Sequence, residues 1–273
     1  MDSHSRVACV RYLNTAPLVE GLDQLEGLTL LPKVPADIAG AVLAGEADIG
    51  LASVVDARDP RLTVLPVGMI GCDGPTHTVR VFSAVPPEKI TRLHADADSH
   101  TSVILARLIL SKRFGTSPAV VPHKAGADDE PEALLLIGDK VVTNPPSAAR
   151  YPHQLDLGEQ WRAWTGLPFV YAAWMCRTGE EESPAIALAA SLLDRQRRHN
   201  ATRLEWIVQK RAPGARWLVD LARHYLTQLL RYDLDERARA GLTRFFEEAA
   251  TLSLLPDAPP RFARPAGKPV IAG

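Results

Sequence analysis

Asn14, Thr15, Ser53, Thr78, Ser99, Thr101 and Ser102 are the residues of this sequence best suited to hold a ligand. All are uncharged, and they fall at the edges of apolar runs. Singly, each fits a helix cap or a turn. Together, at the ends of strands and helices, they describe a site for an anionic or hydroxylated ligand. Asp98-Ser99-His100-Thr101-Ser102 adds a physical reason, because it leads into an apolar pattern with a 3.6-residue period and so marks a helix start. A helix start offers unpaired N–H groups and the positive end of a dipole, and both suit a carboxylate or a phosphate. Gly138-Asp139 follows the apolar run 133–137 and marks another strand tip with a turn or functional residue.

Other chemistries lack their signatures. None of His4, His77, His94, His100, His123, His153, His199 and His224 forms HxH or HExxH, or lies three or four residues from another histidine. No metal motif is therefore present. Neither the GxSxG elbow of hydrolases nor a GxGxxG or Walker A loop for nucleotides occurs. Gly45-Glu46-Ala47-Asp48 pairs two carboxylates, but as a helix-to-strand link where solvated or capping roles suffice. Lys plus Arg total 31 and Asp plus Glu total 32, a net charge of -1, so the basic footprint of a nucleic-acid binder is absent. Cys9, Cys72 and Cys176 are far apart and odd in number, which reads as three buried free thiols.

The elements that must carry these residues follow from hydrophobic periodicity. Residues 7–10 and 28–33 read as strands, and Pro17 suits the first turn of a helix after Asn14 and Thr15. Pro35 opens a helix with Ile38, Ala41 and Val42 on one face, and Gly45 ends it. Residues 47–53 form a buried strand tipped by Ser53, so the strand–helix–strand order implies parallel pairing. Residues 63–69 and 77–84 look like strands joined by the turn Gly71-Cys72-Asp73-Gly74-Pro75. Residues 133–137 and 169–174 add two more strands, and the part after Thr178 reads as helices, the first capped by Ser183-Pro184. In open α/β sheets ligands collect at the carboxyl ends of strands, where these polar residues are expected. Spacing carries the argument to a class of ligand and no further.

Tyr12-Leu13-Asn14-Thr15-Ala16-Pro17-Leu18 and Trp164-Thr165-Gly166-Leu167-Pro168-Phe169-Val170-Tyr171-Ala172 are specific runs, and on them the sequence resembles a known family, the chorismate dehydratases of the futalosine route to menaquinone. Tyr12-Leu13-Asn14-Thr15-Ala16-Pro17-Leu18 is similar to its opening motif. Gly45 to Leu51, Gly71 to Pro75, Thr101-Ser102-Val103 and Leu136-Ile137-Gly138-Asp139 match in order. So does the run Trp164-Thr165-Gly166-Leu167-Pro168-Phe169-Val170-Tyr171-Ala172, with Trp161 before it and Trp174 after. The sister enzyme that makes 1,4-dihydroxy-6-naphthoate typically opens on an SPCPNDTF-like segment and carries a His base. Tyr-Leu-Asn-Thr stands in that place here, which favours the dehydratase.

The resemblance implies a periplasmic-binding-protein type II-like α/β fold, two lobes with a central cleft and a helical C-terminal part. It implies loss of water from chorismate to give 3-[(1-carboxyvinyl)oxy]benzoate, with no cofactor and no metal. The substrate's own side-chain carboxylate is implied as the proton acceptor, which matches a site of hydroxyls and amides without an evident base. Carried over, Asn14 and Thr78 take catalytic places, Thr78 standing where the family usually has Ser. Thr15, Ser53, Ser99, Thr101, Ser102, Gly138 and Asp139 take substrate-binding places. His77 and His100 stand where Arg is frequent, and Asp56 where Glu is frequent. We expect lobe I to combine residues 1–83 and 175–255, lobe II to hold 84–174, and 256–273 to be a loosely packed tail. The polar start and the lack of a membrane-length apolar segment lead us to expect a cytoplasmic protein. Its partner is then the small-molecule substrate, without nucleic acid or membrane. Two rivals stand beside this reading: a solute-binding or sensor protein without chemistry, and the sister naphthoate-forming enzyme.

Overall fold

The structure is a computed structural model and describes residues 4–96, 100–123 and 131–264. Strands and helices alternate from the start of the chain. β1 (Ser5–Cys9) leads through a 3-10 turn at Leu13–Thr15 into the single helical turn α1 (Ala16–Val19). β2 (Leu28–Pro32), α2 (Pro35–Leu43), β3 (Ile49–Ser53) and β4 (Leu62–Cys72) follow. Then come β5 (Val79–Ser83), β6 (Arg92–Asp96), α3 (His100–Phe114), β7 (Ala119–His123), β8 (Ala133–Ile137), α4 (Lys140–Thr143) and β9 (His153–Asp156). α5 (Leu157–Thr165) leads back to β10 (Phe169–Arg177). The last part is helical: α6 (Pro184–Ala201), α7 (Leu204–Arg211), α8 (Val219–His224), a π-helical turn at Tyr225–Leu229, the short β11 (Leu230–Arg231) and α9 (Glu236–Thr251).

Two sheets result. The first has the order β11-β4-β10-β3-β1-β2 and the second β7-β6-β8-β5-β9. β1 runs parallel to both β2 and β3, as the strand–helix–strand pattern requires. β10 runs antiparallel between β3 and β4, while β5 runs antiparallel to both β8 and β9. α2 buries Ile38, Ala41 and Val42 against β3, where Gly50 leaves room: a Cβ there would stand 2.5 Å from Ile38 Cγ2. One continuous core joins Ala8, Ile38 and Val64 of the first sheet's side to Val81, Leu93 and Leu135 of the second.

The Trp-rich motif is part of that core. Trp161 meets Phe169 and Phe245 edge-on at 5.3 and 6.2 Å, and its indole N–H donates to the Pro168 carbonyl at 3.1 Å. Such pairs add about 0.5–1.5 kcal/mol each beyond area burial, so the motif locks α5 and α9 onto β10. The three cysteines are buried and free, and burial pushes Cys9 up to about 11 and Cys72 and Cys176 up to about 12. Among the described residues no helix is long and apolar enough to cross a membrane.

The boundaries differ from those expected. Residues 79–83, expected in the first lobe, form β5 of the second sheet. Residues 169–174, expected in the second lobe, belong to β10 inside the first sheet. The turn after β4 does not fold back into a hairpin; residues 73–78 carry the chain across to the other sheet, and 157–168 carry it back. The segment after Pro256 is also not wholly loose. The Val64 N–H donates to the Arg261 carbonyl at 2.8 Å and the Ala263 N–H to the Val64 carbonyl at 2.9 Å. Free backbone groups on that stretch of β4 explain the docking.

Candidate active site

Asn14, Ser53, Thr78, Thr101, Ser102 and Gly138 line one hollow between the two sheets. Its empty space is about 680 Å³, part of it open to solvent. Val10, Leu51, Ile70, Val79 and Ile137 supply apolar wall, and among the described residues none that lines the hollow is charged.

Antiparallel pairing explains the convergence. β8 runs against β5 with Ile137 opposite Val79, and the Gly138 N–H donates to the Thr78 carbonyl at 2.9 Å. The carboxyl end of β8 thus meets the amino end of β5. Thr78 therefore stands just before a strand, not at the carboxyl end of a parallel one as expected. In the first sheet Ala172 of β10 lies opposite Ser53 of β3, which sets Tyr171 and Ala172 beside it in the wall. Gly138 takes a left-handed φ of +74°, and a Cβ there would stand 3.4 Å from the Tyr12 ring. The positive φ is what glycine meets without strain, since 3.4 Å is an ordinary van der Waals contact.

The crossing that carries Thr76 and Thr78 is pinned by one buried carboxylate. Asp156 caps α5 by accepting the Gly158 and Glu159 N–H groups at 3.1 and 3.2 Å. It also accepts the N–H of Thr76 at 3.0 Å and of His77 at 2.7 Å. His77 holds a left-handed φ of 61°, uncommon for a residue with a side chain. Its ring meets His224 edge-on at 6.0 Å and does not line the hollow. Burial holds its pKa below the usual histidine value, and Arg80 adds to that effect.

Three expected contacts need correction or lie elsewhere. Thr15 is buried behind the wall, where its hydroxyl donates to the Asn14 amide oxygen at 3.2 Å, so it orients Asn14. Asp139 is engaged by the Leu13 N–H at 3.2 Å and the Trp217 indole N–H at 3.1 Å. It faces an adjoining groove, not the hollow, because residue 138 has already turned the chain away from the strand tip. Burial raises the Asp139 pKa against those two hydrogen bonds. Ser99 lies outside the described residues. His100 begins α3 and pairs with Asp56 at 3.2 Å, away from the lining.

Sequence reasoning missed Thr76, Tyr171 and Tyr225 as lining residues. Tyr225 sits in a helical apolar pattern that reads as core, and no spacing signal separates it from its neighbours. The Tyr225 phenol oxygen lies 2.7 Å from Thr78 Oγ1. The Thr101 hydroxyl donates to the Tyr171 carbonyl at 3.2 Å, tying α3 to β10. Burial raises both phenols, Tyr171 strongly, so each keeps its proton and remains a donor. The amino end of α3 opens on the hollow through Thr101 and Ser102, and its positive dipole end favours an anion there. The arrangement can grip a carboxylate with neutral donors and exclude water with apolar walls.

Two α/β sheets with a hollow between them define a binding-protein fold of the periplasmic kind. The alkanesulfonate-binding protein SsuA of Xanthomonas axonopodis pv. citri shares it with a TM-score of 0.68 at 12% identity, over 93% of this chain and 94% of that one. The periplasmic aliphatic sulphonate binding protein SsuA of Escherichia coli gives 0.62 at 13% identity, over 100% and 98%. Identities this low show the fold alone. The chain belongs to the menaquinone biosynthesis family, whose model matches residues 5–251. A relative in that sense is the chorismate dehydratase of Thermus thermophilus, 32% identical over 255 residues, 87% of this chain and 92% of the relative.

Proposed function

We propose that this chain is a chorismate dehydratase, a hydro-lyase that converts chorismate to 3-[(1-carboxyvinyl)oxy]benzoate in a cytoplasmic step of menaquinone biosynthesis. The observation that carries the reading is the 32% identity to a chorismate dehydratase over 87% of the chain. A hollow walled by neutral donors supports it.

Chorismate carries two carboxylates and a ring hydroxyl whose loss makes the ring aromatic. The driving force lies in the substrate, and the protein has to hold it, keep water out and leave an acceptor in reach of the ring proton. The ring C–H bond breaks toward the substrate's own side-chain carboxylate. Its electron pair enters the ring, the hydroxyl departs, and proton and hydroxide leave as water. No electrons are gained or lost, so the balance asks nothing of a redox cofactor. Asn14 and Thr78 act at the reacting carbons. Ser53, Thr101, Ser102 and the Gly138 backbone, with the amino end of α3, hold the anionic groups. The two sheets act as two lobes closing on the substrate.

Purified protein mixed with chorismate tests this, with product followed by liquid chromatography and mass spectrometry. The expected result is the carboxyvinyloxy-benzoate, formed with one water lost per chorismate and without added metal or nucleotide. Chorismate that binds yet stays unchanged beyond its spontaneous decay would make this a binding or sensor protein.

A further inference from the structure

We propose that Tyr225 is a positioning residue of this site, holding the Thr78 hydroxyl in the orientation that serves the substrate. The role rests on the chorismate reading and adds a residue from the C-terminal helical layer to it.

Tyr225 and Thr78 are both buried, and their oxygens lie 2.7 Å apart. The other partner of the Thr78 hydroxyl, the Thr76 carbonyl, is 3.4 Å away, so the phenol is the contact that fixes its direction. When the phenol donates, Thr78 keeps its own proton for a ligand in the hollow. Asn14 lines the same hollow as Tyr225 and Thr78 and acts on the phenol, lowering its pKa against burial.

The ring is braced from behind. It stacks on Trp217 with centroids 4.8 Å apart and planes 17° from parallel. Trp217 in turn donates to Asp139, whose second oxygen accepts the N–H of Leu13, the residue before Asn14. A single carboxylate therefore holds the turn that carries Asn14 and the platform under Tyr225. The backbone departs from the α-helix here: the Leu230 N–H reaches back five residues to the Tyr225 carbonyl, a π turn of the kind that often marks functional positions.

The test is a double-mutant cycle on chorismate turnover. Tyr225→Phe removes the hydroxyl and keeps the ring on Trp217. It should lower kcat about tenfold or more, the scale of coupling seen between residues in contact, while KM changes by less than about threefold. Tm should move by no more than roughly 2–4 °C. In a Thr78→Ala background the same change should cost less than about twofold, because the hydroxyl it orients is gone. Multiplicative losses, an unchanged kcat in the single variant, or a kcat loss that merely follows a collapse in Tm would overturn the role. Turnover by the unaltered protein is measured alongside. Its absence strikes the chorismate reading itself, whereas its presence with an indifferent Tyr225→Phe strikes only this inference.

Discussion

Asn14 is oriented by its surroundings before any ligand arrives. Thr15 donates to its amide oxygen, and Asp139 fixes the N–H of Leu13 beside it. Such preorganised donors are what a reaction with a charged substrate needs, since they need not rearrange as charge moves. Asn14→Ala should therefore cut kcat by about 100-fold, the effect of losing one preorganised donor. The residue is only half-buried and caps no helix, so Tm should shift little. Steady-state kinetics beside a thermal melt decide it. A fall in stability that accounts for the whole loss of activity would make Asn14 a structural turn residue. Single residues of this site were legible in sequence where an apolar strand stopped on a polar side chain, as at Asn14 and Ser53. Thr15 and Asp139 obey the same local rule yet stand one layer back, because a 3-10 turn and a left-handed glycine decide which way each side chain faces.

Elements meet at the crossing 73–78, where the chain passes from β4 to β5 under the hold of Asp156. Gly158, two residues into the α5 cap, packs directly on that crossing. A Cβ there would lie 2.5 Å from the Gly74 carbonyl oxygen and 2.5 Å from Cys72 Sγ. Backbone must move to admit it, so Gly158→Ala should cost about 1–3 kcal/mol, the price of overpacking a core, and disturb Thr76 and Thr78. Urea unfolding measures the first effect and kcat the second. An unchanged midpoint would show that the crossing is softer than its contacts indicate. The turn chemistry of Gly71 to Pro75 was readable, but a turn does not say which sheet receives the next strand. β6, β7 and β9 escaped expectation for a related reason. Ala119–His123 is a mostly exposed edge strand with Pro122 in it, and His153–Asp156 is short and polar, so neither shows the alternation of a half-buried strand.

At the scale of the whole molecule, the hollow exists because both sheets and the C-terminal layer contribute to one wall. β1, β3 and β10 bring Asn14, Ser53 and Tyr171; β5, β8 and α3 bring Thr78, Gly138 and Thr101; the π turn brings Tyr225. The general α/β architecture follows from alternating strand and helix patterns, while the joining of distant segments into one wall depends on antiparallel pairings that periodicity does not encode. A larger groove adjoins the hollow, shares Val10 and Tyr12 with it, and carries Arg11, Lys210 and Arg211. Lys210 and Arg211 are already engaged by the buried Glu20. Burial works to raise the Glu20 pKa, and hydrogen bonds from Arg211 and Lys210 outweigh it and lower the pKa. The uncharged wall is therefore the place for a doubly anionic guest on this account. A crystal structure with 3-[(1-carboxyvinyl)oxy]benzoate bound tests that claim most directly. The account predicts the ring between the sheets, one carboxylate at Thr101 and Ser102, and Asn14 and Thr78 against the ring edge. Product seated instead in the basic groove by Arg11, with the hollow occupied by side chains alone, would contradict it.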